Sequence, residues 1–359
     1  MKAILKPGIH WLFIFIPVSL YLEYSHASEP MIFFSAALSI IPIARLISTS
    51  TENLATYTGD AIGGLLNATF GNLPELIIAV VALKAGLHEI VLASLGGAIL
   101  ANLLLATGVS FLLGGMKFHN QEYNPASTRV YSSMMLIAVI SLMVPSGFHS
   151  LAQKGIPTEN ENTLNIILAV TLLVAYILYL FFMIKTHADF FRTEGGGHAD
   201  EHHNRWSLPR ALVSLVGASV LAAFMSEVLV GAAEGTGEAL GMSSVFIGVI
   251  FLAVVGGAAE SISAITMATK NKMDLSLGIA LGSSIQIALF IAPALVLLSL
   301  FIGPGQLNLI FPRGLILTLF FSVILAAMIS GDGRSNWYKG VQLIIIYMIV
   351  AMVLYFIPA

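Results

Sequence analysis

The chain has 359 residues, 57% of them hydrophobic and only 10% charged, with a mean hydropathy of +0.92. So little charge cannot cover a soluble protein of this size, and the composition points to a polytopic membrane protein. A net charge of -3 gives no footing to nucleic acid or another polyanion, and the absence of cysteine excludes disulfides, thiolate metal sites and thiol nucleophiles.

Lys2 and Lys6 precede an apolar stretch from Trp11 to Leu22, and Ser25-His26-Ala27 has the outline of a signal cleavage site. A membrane span explains the same segment, and many more follow it. A hydrocarbon core takes about 20 helical residues. Apolar windows of that kind fall at 10–25, 31–48, 57–84, 90–115, 128–146, 163–185, 208–230, 243–269, 275–302, 309–330 and 338–357. They predict an all-α protein of eleven transmembrane helices, since the segments are too long for barrel strands and lack a period of two. With the N-terminus inside, Arg45 and twelve other Lys or Arg residues fall in inside loops, against Lys84, Lys154 and Arg313 outside. This asymmetry places the N-terminus in the cytoplasm and the C-terminus outside.

The chain also repeats itself. Ile62–Leu103 aligns without a gap on Ile247–Ala288 at an offset of 185, with nine of 42 positions identical. Gly71 meets Gly256, and Glu75 meets Glu260. Spans two to six and seven to eleven then form two halves of five helices, an odd number, so the halves cross the membrane in opposite directions. Inverted repeats of this kind build secondary transporters, with the site where broken helices meet. The expected organisation is an N-terminal helix at 1–28, repeats at 29–186 and 208–359, and a hydrophilic cytoplasmic loop at 187–207.

An intramembrane glutamate is costly and lines a pathway or finds a partner. Glu75 follows Gly71 by one turn, and Pro74 disturbs the carbonyl near Phe70. Glu260 follows Gly256-Gly257. Two carboxylates among carbonyl and amide oxygens make a site for a hard cation such as calcium. Without the cation they repel one another and take up protons, so such a site exchanges one for the other. Asn102, Ser283, Ser284 and Gln286 add polar groups on flanking helices, and Gly96, Gly97 and Gly282 are expected to let helix backbones approach closely.

These motifs resemble the calcium/proton antiporter (CAX) family of the cation/calcium exchanger superfamily. Gly63–Asn72 reads GGLLNATFGN and Lys270–Phe290 reads KNKMDLSLGIALGSSIQIALF. The resemblance implies eleven helices with the first outside the repeats, and export of cytoplasmic Ca2+ against protons. Glu75 and Glu260 would bind either, with Gly71, Gly256 and Gly257 lending backbone oxygens and with Asn72, Asn102, Ser283 and Gln286 close by. It implies Ca2+ as substrate, no cofactor and the inner membrane of a prokaryotic cell, and leaves homo-oligomerisation open. A Na+ or K+/H+ antiporter on the same scaffold is the alternative. The chain departs from the family pattern at Gly257, usually Asn, at Ser261, usually His, at Ala98, usually Ser, and at Leu73-Pro74.

Two further features are ambiguous. The 187–207 loop mixes His187, His198, His202 and His203 with Asp189, Asp200 and Glu201, which suits a metal or pH sensor or a solvated linker. Glu227, Glu234 and Glu238 suit a cation vestibule or an ordinary helix end. An enzyme is not expected: His88-Glu89 begins like a zinc-protease helix, but position 92 is leucine.

Overall fold

A computed structural model describes residues 8–58, 63, 66, 69–152, 159–188 and 206–356. The helices in chain order are α1 (Ile9–Tyr24), α2 (Glu29–Ala55), α3 (Leu73–Lys84), α4 (His88–Phe118), α5 (Pro125–Ser150), α6 (Asn160–Thr186), α7 (Leu208–Leu240), α8 (Ser244–Gly256), α9 (Ala258–Thr269), α10 (Met273–Leu298), α11 (Gly314–Ser330) and α12 (Trp337–Phe356). Seven are long and apolar enough to cross a membrane, and α8 with α9 makes an eighth when a pair bent by 59° counts as one span. The apolar helices α1 and α11 are shorter. In window 57–84 the described helix is α3, with residues 59–62, 64, 65, 67 and 68 outside the described set. The fold is nearly all helical. A two-residue antiparallel pair, β1 (Gln121–Glu122) with β2 (Arg334–Ser335), joins the α4–α5 and α11–α12 loops.

Helix starts follow local chemistry. Ser28 is extended (φ -62°, ψ 140°), Glu29 faces the positive end of α2, and Pro30 sits in the first turn, where its missing N–H leaves nothing unpaired. Ser207 and Pro209 open α7 in the same way. The hydroxyl of Ser243 caps α8 by accepting from the Phe246 N–H at 3.2 Å. The run of α2 to Ala55 corrects the placement of Arg45, which lies within a helix and not in a loop.

Burial separates the centre of the bundle from its rim. The apolar window of α4 is 94% buried and that of α10 is 72% buried, against 28% for α6 and for α12. Close packing carries the centre, because lipid offers apolar side chains no penalty to escape. A Cβ on Gly97 would strike the backbone of Val249, and one on Gly248 would lie 2.6 Å from the Ala93 Cβ, so α4 and α8 touch through bare backbone. Gly96 packs under Leu315 of α11. The expectation for Gly282 is not met among the described residues: none of their atoms lies within 4 Å of where its Cβ would stand, so that face of α10 meets no backbone among them. Both central helices carry a widened π turn, Ala101–Ala106 in α4 and Ile287–Ile291 in α10. Such turns mark functional stretches of helices.

Candidate functional site

Glu75 is the third residue of α3, and Glu260 is the third residue of α9. Each helix starts afresh after a break, so each carboxylate sits in a first turn, at the positive end of a helix dipole. Pro74 marks the start of α3, in the first turn, and does not interrupt a helix. Gly71 lies in the preceding turn and is half-buried.

The two breaks meet. A Cβ on Gly256 would lie 3.1 Å from Cγ of Glu75, and one on Gly257 would lie 3.5 Å from its Oε1. Glu75 is 6% exposed and Glu260 is 8% exposed. Among the described residues, neither carboxylate oxygen of Glu75 has a hydrogen-bond partner, nor has Oε2 of Glu260. A buried polar atom without a partner costs about 1–3 kcal/mol, and more when charged. These oxygens therefore have free capacity for a bound cation or proton.

The polar residues expected on flanking helices assemble beside the carboxylates. Ser283 of α10 donates to Oδ1 of Asn72 at 2.7 Å and accepts from Nδ2 of Asn102 at 2.8 Å. Asn72 returns a bond from Nδ2 to the Ser283 carbonyl at 3.2 Å. Gln286 donates from Nε2 to the Thr69 carbonyl at 3.3 Å. That carbonyl belongs to the residue before Phe70. Ser284 turns back onto its own helix, donating to the Ala280 carbonyl at 3.1 Å. Asn72, Asn102, Ser283 and Gln286 are all buried.

The arrangement sets two carboxylates and several neutral oxygen donors in a buried place, with no sulfur or imidazole among them. That donor chemistry fits a hard cation. One partner pair escaped the sequence reading. Arg45 donates to the hydroxyl of Ser263 at 2.7 Å, one helical turn past Glu260. An arginine inside an apolar window was the available signal.

The other candidates stand apart. Glu227, Glu234 and Glu238 are exposed, and among the described residues no three His, Asp or Glu side chains converge as a metal site. His198, His202, His203, Asp189, Asp200 and Glu201 lie outside the described residues.

Comparison with known proteins agrees with this chemistry. The family model described as sodium/calcium exchanger protein matches residues 29–185 and again 210–356. The chain is 39% identical to the Ca(2+)/H(+) antiporter of Aphanothece halophytica, over 97% of this chain and 96% of that protein. It is also 39% identical to the Ca(2+)/H(+) antiporter ChaA of Bacillus subtilis, over 94% of this chain and 95% of that protein. The solved structure of native YfkE superposes with a TM-score of 0.82 at 37% identity, covering 96% of this chain and 99% of that one.

Proposed function

This chain belongs to the sodium/calcium exchanger protein family, and within it to the calcium/proton antiporters (CAX), and we propose that it exports cytoplasmic Ca2+ in exchange for external protons. The observation that carries the reading is the pair of buried glutamates, Glu75 and Glu260, each third in a helix that follows a break. Two carboxylates balance one divalent cation or two protons. With the cation gone, like charges in a poorly solvated place repel and take up protons; with protons released, the site accepts a cation again. Exchange follows from the site itself and needs no cofactor.

Asn72, Asn102, Ser283 and Gln286, with the backbone at Gly71, Gly256 and Gly257, complete the oxygen set. Alternating access comes from an inverted repeat of two five-helix halves, 29–186 and 208–359, after an N-terminal helix at 1–28 and with the 187–207 loop between them. The double match of one family model supports that duplication. The protein spans the cell membrane eleven times, with its N-terminus in the cytoplasm and its C-terminus outside. Sodium or potassium in place of calcium is not favoured, because the two relatives of highest identity described above are named for Ca2+ and H+.

The test is uptake of radiolabelled calcium into vesicles holding the purified chain, with a pH gradient imposed and sodium or potassium as competitors. Calcium accumulation that collapses with the gradient supports the reading. Gradient-driven sodium flux without calcium flux overturns it.

A further inference from the structure

Two carboxylates account for the exchange, yet a permanent positive charge stands close to one of them. Arg45 lies ten residues before the last residue of α2, about 15 Å by helical rise, so it is not at a helix end. Its neighbours Pro42, Ile43, Ala44 and Ile47 are buried, and Arg45 itself is half-buried. A charge at such a depth pairs with another or lines a pathway. Among the described residues Arg45 makes no ion pair. Its hydrogen-bond partner among them is the hydroxyl of Ser263, reached from Nη1 at 2.7 Å.

Ser263 stands three residues past Glu260 on one face of α9. The guanidinium therefore meets α9 within one turn of the carboxylate. The backbone supports the approach, since α2 packs against both α8 and α9, the helices on either side of the break at Gly257. Residues three apart on a helix have Cβ atoms about 5–6 Å apart. A long arginine stem covers such a distance by changing rotamers. Both ends of that alternative contact have capacity to spare. Oε2 of Glu260 is buried without a partner among the described residues, and a guanidinium that uses Nη1 keeps further N–H donors. A carboxylate also fits the arginine fork better than a hydroxyl does, because it can accept two parallel bonds.

We propose that Arg45 is a tethered cation that competes with the transported one for Glu260. The guanidinium has two stations. On Ser263, as in this structure, it leaves Glu260 open; on Glu260 it closes the site to a cation. An arriving cation displaces it, and Ser263 takes it back. The inference rests on the reading that Glu260 binds the transported cation. Such a competitor keeps a buried carboxylate from standing unpaired and helps a bound cation to leave. Because arginine does not lose its proton, it competes at every pH, whereas protons compete only when they are abundant.

The experiment reads cation binding to the full chain in detergent at one alkaline pH, as the rise in unfolding temperature with calcium concentration. Sodium replaces calcium if the wild type responds to sodium alone. Arg45→Met keeps a long stem, removes the charge and tightens binding by about tenfold, the scale of one close charge pair. Losing a charge from an apolar window favours insertion, so this variant is expected to fold. Arg45→Lys keeps the charge and stays nearer to wild type. Ser263→Ala acts with the opposite sign: it removes the holding partner, frees Arg45 for Glu260 and weakens binding by about threefold, less than a whole charge pair. In the Arg45→Met background Ser263→Ala has no effect. A merely structural contact between Arg45 and Ser263 predicts the same sign for both single variants, and that result overturns the proposal. Glu260→Gln separates the proposal from the reading beneath it. If this variant responds to calcium as the wild type does, the reading fails and the proposal with it. If it loses the response while Arg45→Met binds no tighter than the wild type, the proposal alone is overturned.

Discussion

Ser283 gives its hydroxyl hydrogen to Oδ1 of Asn72 at 2.7 Å, across 211 positions of sequence. This bond ties the residue that precedes α3 to the middle of α10, and so joins the two halves of the chain beside Glu75. A second bond to Asn102 makes Ser283 the common partner of two buried amides. Replacing it by alanine leaves both amides short of a partner, at about 1–3 kcal/mol each. Ser283→Ala is therefore expected to lower the unfolding temperature in detergent and to weaken calcium binding, with Ser283→Thr restoring much of both. A variant as stable as wild type would show that the amides find other partners.

Glu75→Gln and Glu260→Gln are each expected to abolish gradient-driven calcium uptake while the protein remains inserted. One remaining carboxylate cannot balance a divalent ion. Calcium should also lose its stabilising effect, which at one hundred times Kd amounts to about 2.7 kcal/mol. The check is uptake at matched protein level, together with thermal unfolding with and without calcium. Near-normal exchange by either variant would sink the two-carboxylate mechanism.

Gly97→Ala is expected to cost more than any change at the polar site. The new methyl would strike the Val249 backbone, which cannot rotate away as a side chain can, so α4 and α8 must separate. Poor insertion or a large fall in unfolding temperature is the outcome sought. Gly282→Ala, with nothing within 4 Å of its Cβ among the described residues, should be tolerated and serves as the control.

Calcium and protons compete for the same carboxylates, so the sign of the pH effect is fixed. Raising the pH removes protons from the site and strengthens apparent calcium affinity; lowering it does the reverse. KM for calcium on the cytoplasmic face, measured as the pH is raised, should fall steadily. A flat profile would mean that protons bind elsewhere.

Reporter fusions after Gly196 and at the C-terminus test the topology. The first should report the cytoplasm and the second the outside. The same side for both would remove the odd number of spans in the second half, and the inverted repeat with it.

Hydropathy and regular spacing made the membrane class, most of the long helices and the two buried glutamates readable, because each depends on local composition or on a short interval along the chain. Pairing across the repeat was harder to read. Nothing within the sequence neighbourhood of Ser283 says that its hydroxyl reaches Asn72, or that Gln286 takes the Thr69 carbonyl. Arg45 illustrates the same gap: counted as a loop charge by its place near a window edge, it lies within α2 and bonds Ser263 across 218 positions.

Gly257 and Ala98 mark the boundary between the two sources of information. Set against the family pattern, the sequence says only that an amide is absent near Glu260, at Gly257, and a hydroxyl on α4, at Ala98. Where the loss falls was decided by the crossing of α8 over α3 and α4, which turns Gly257 toward Glu75 and brings Asn102 to the same spot. Composition determines that a segment enters the membrane, since transfer from water acts on each residue nearly independently. Which buried oxygens share one site depends on the mutual packing of helices far apart in sequence, and that is fixed only when the whole bundle closes.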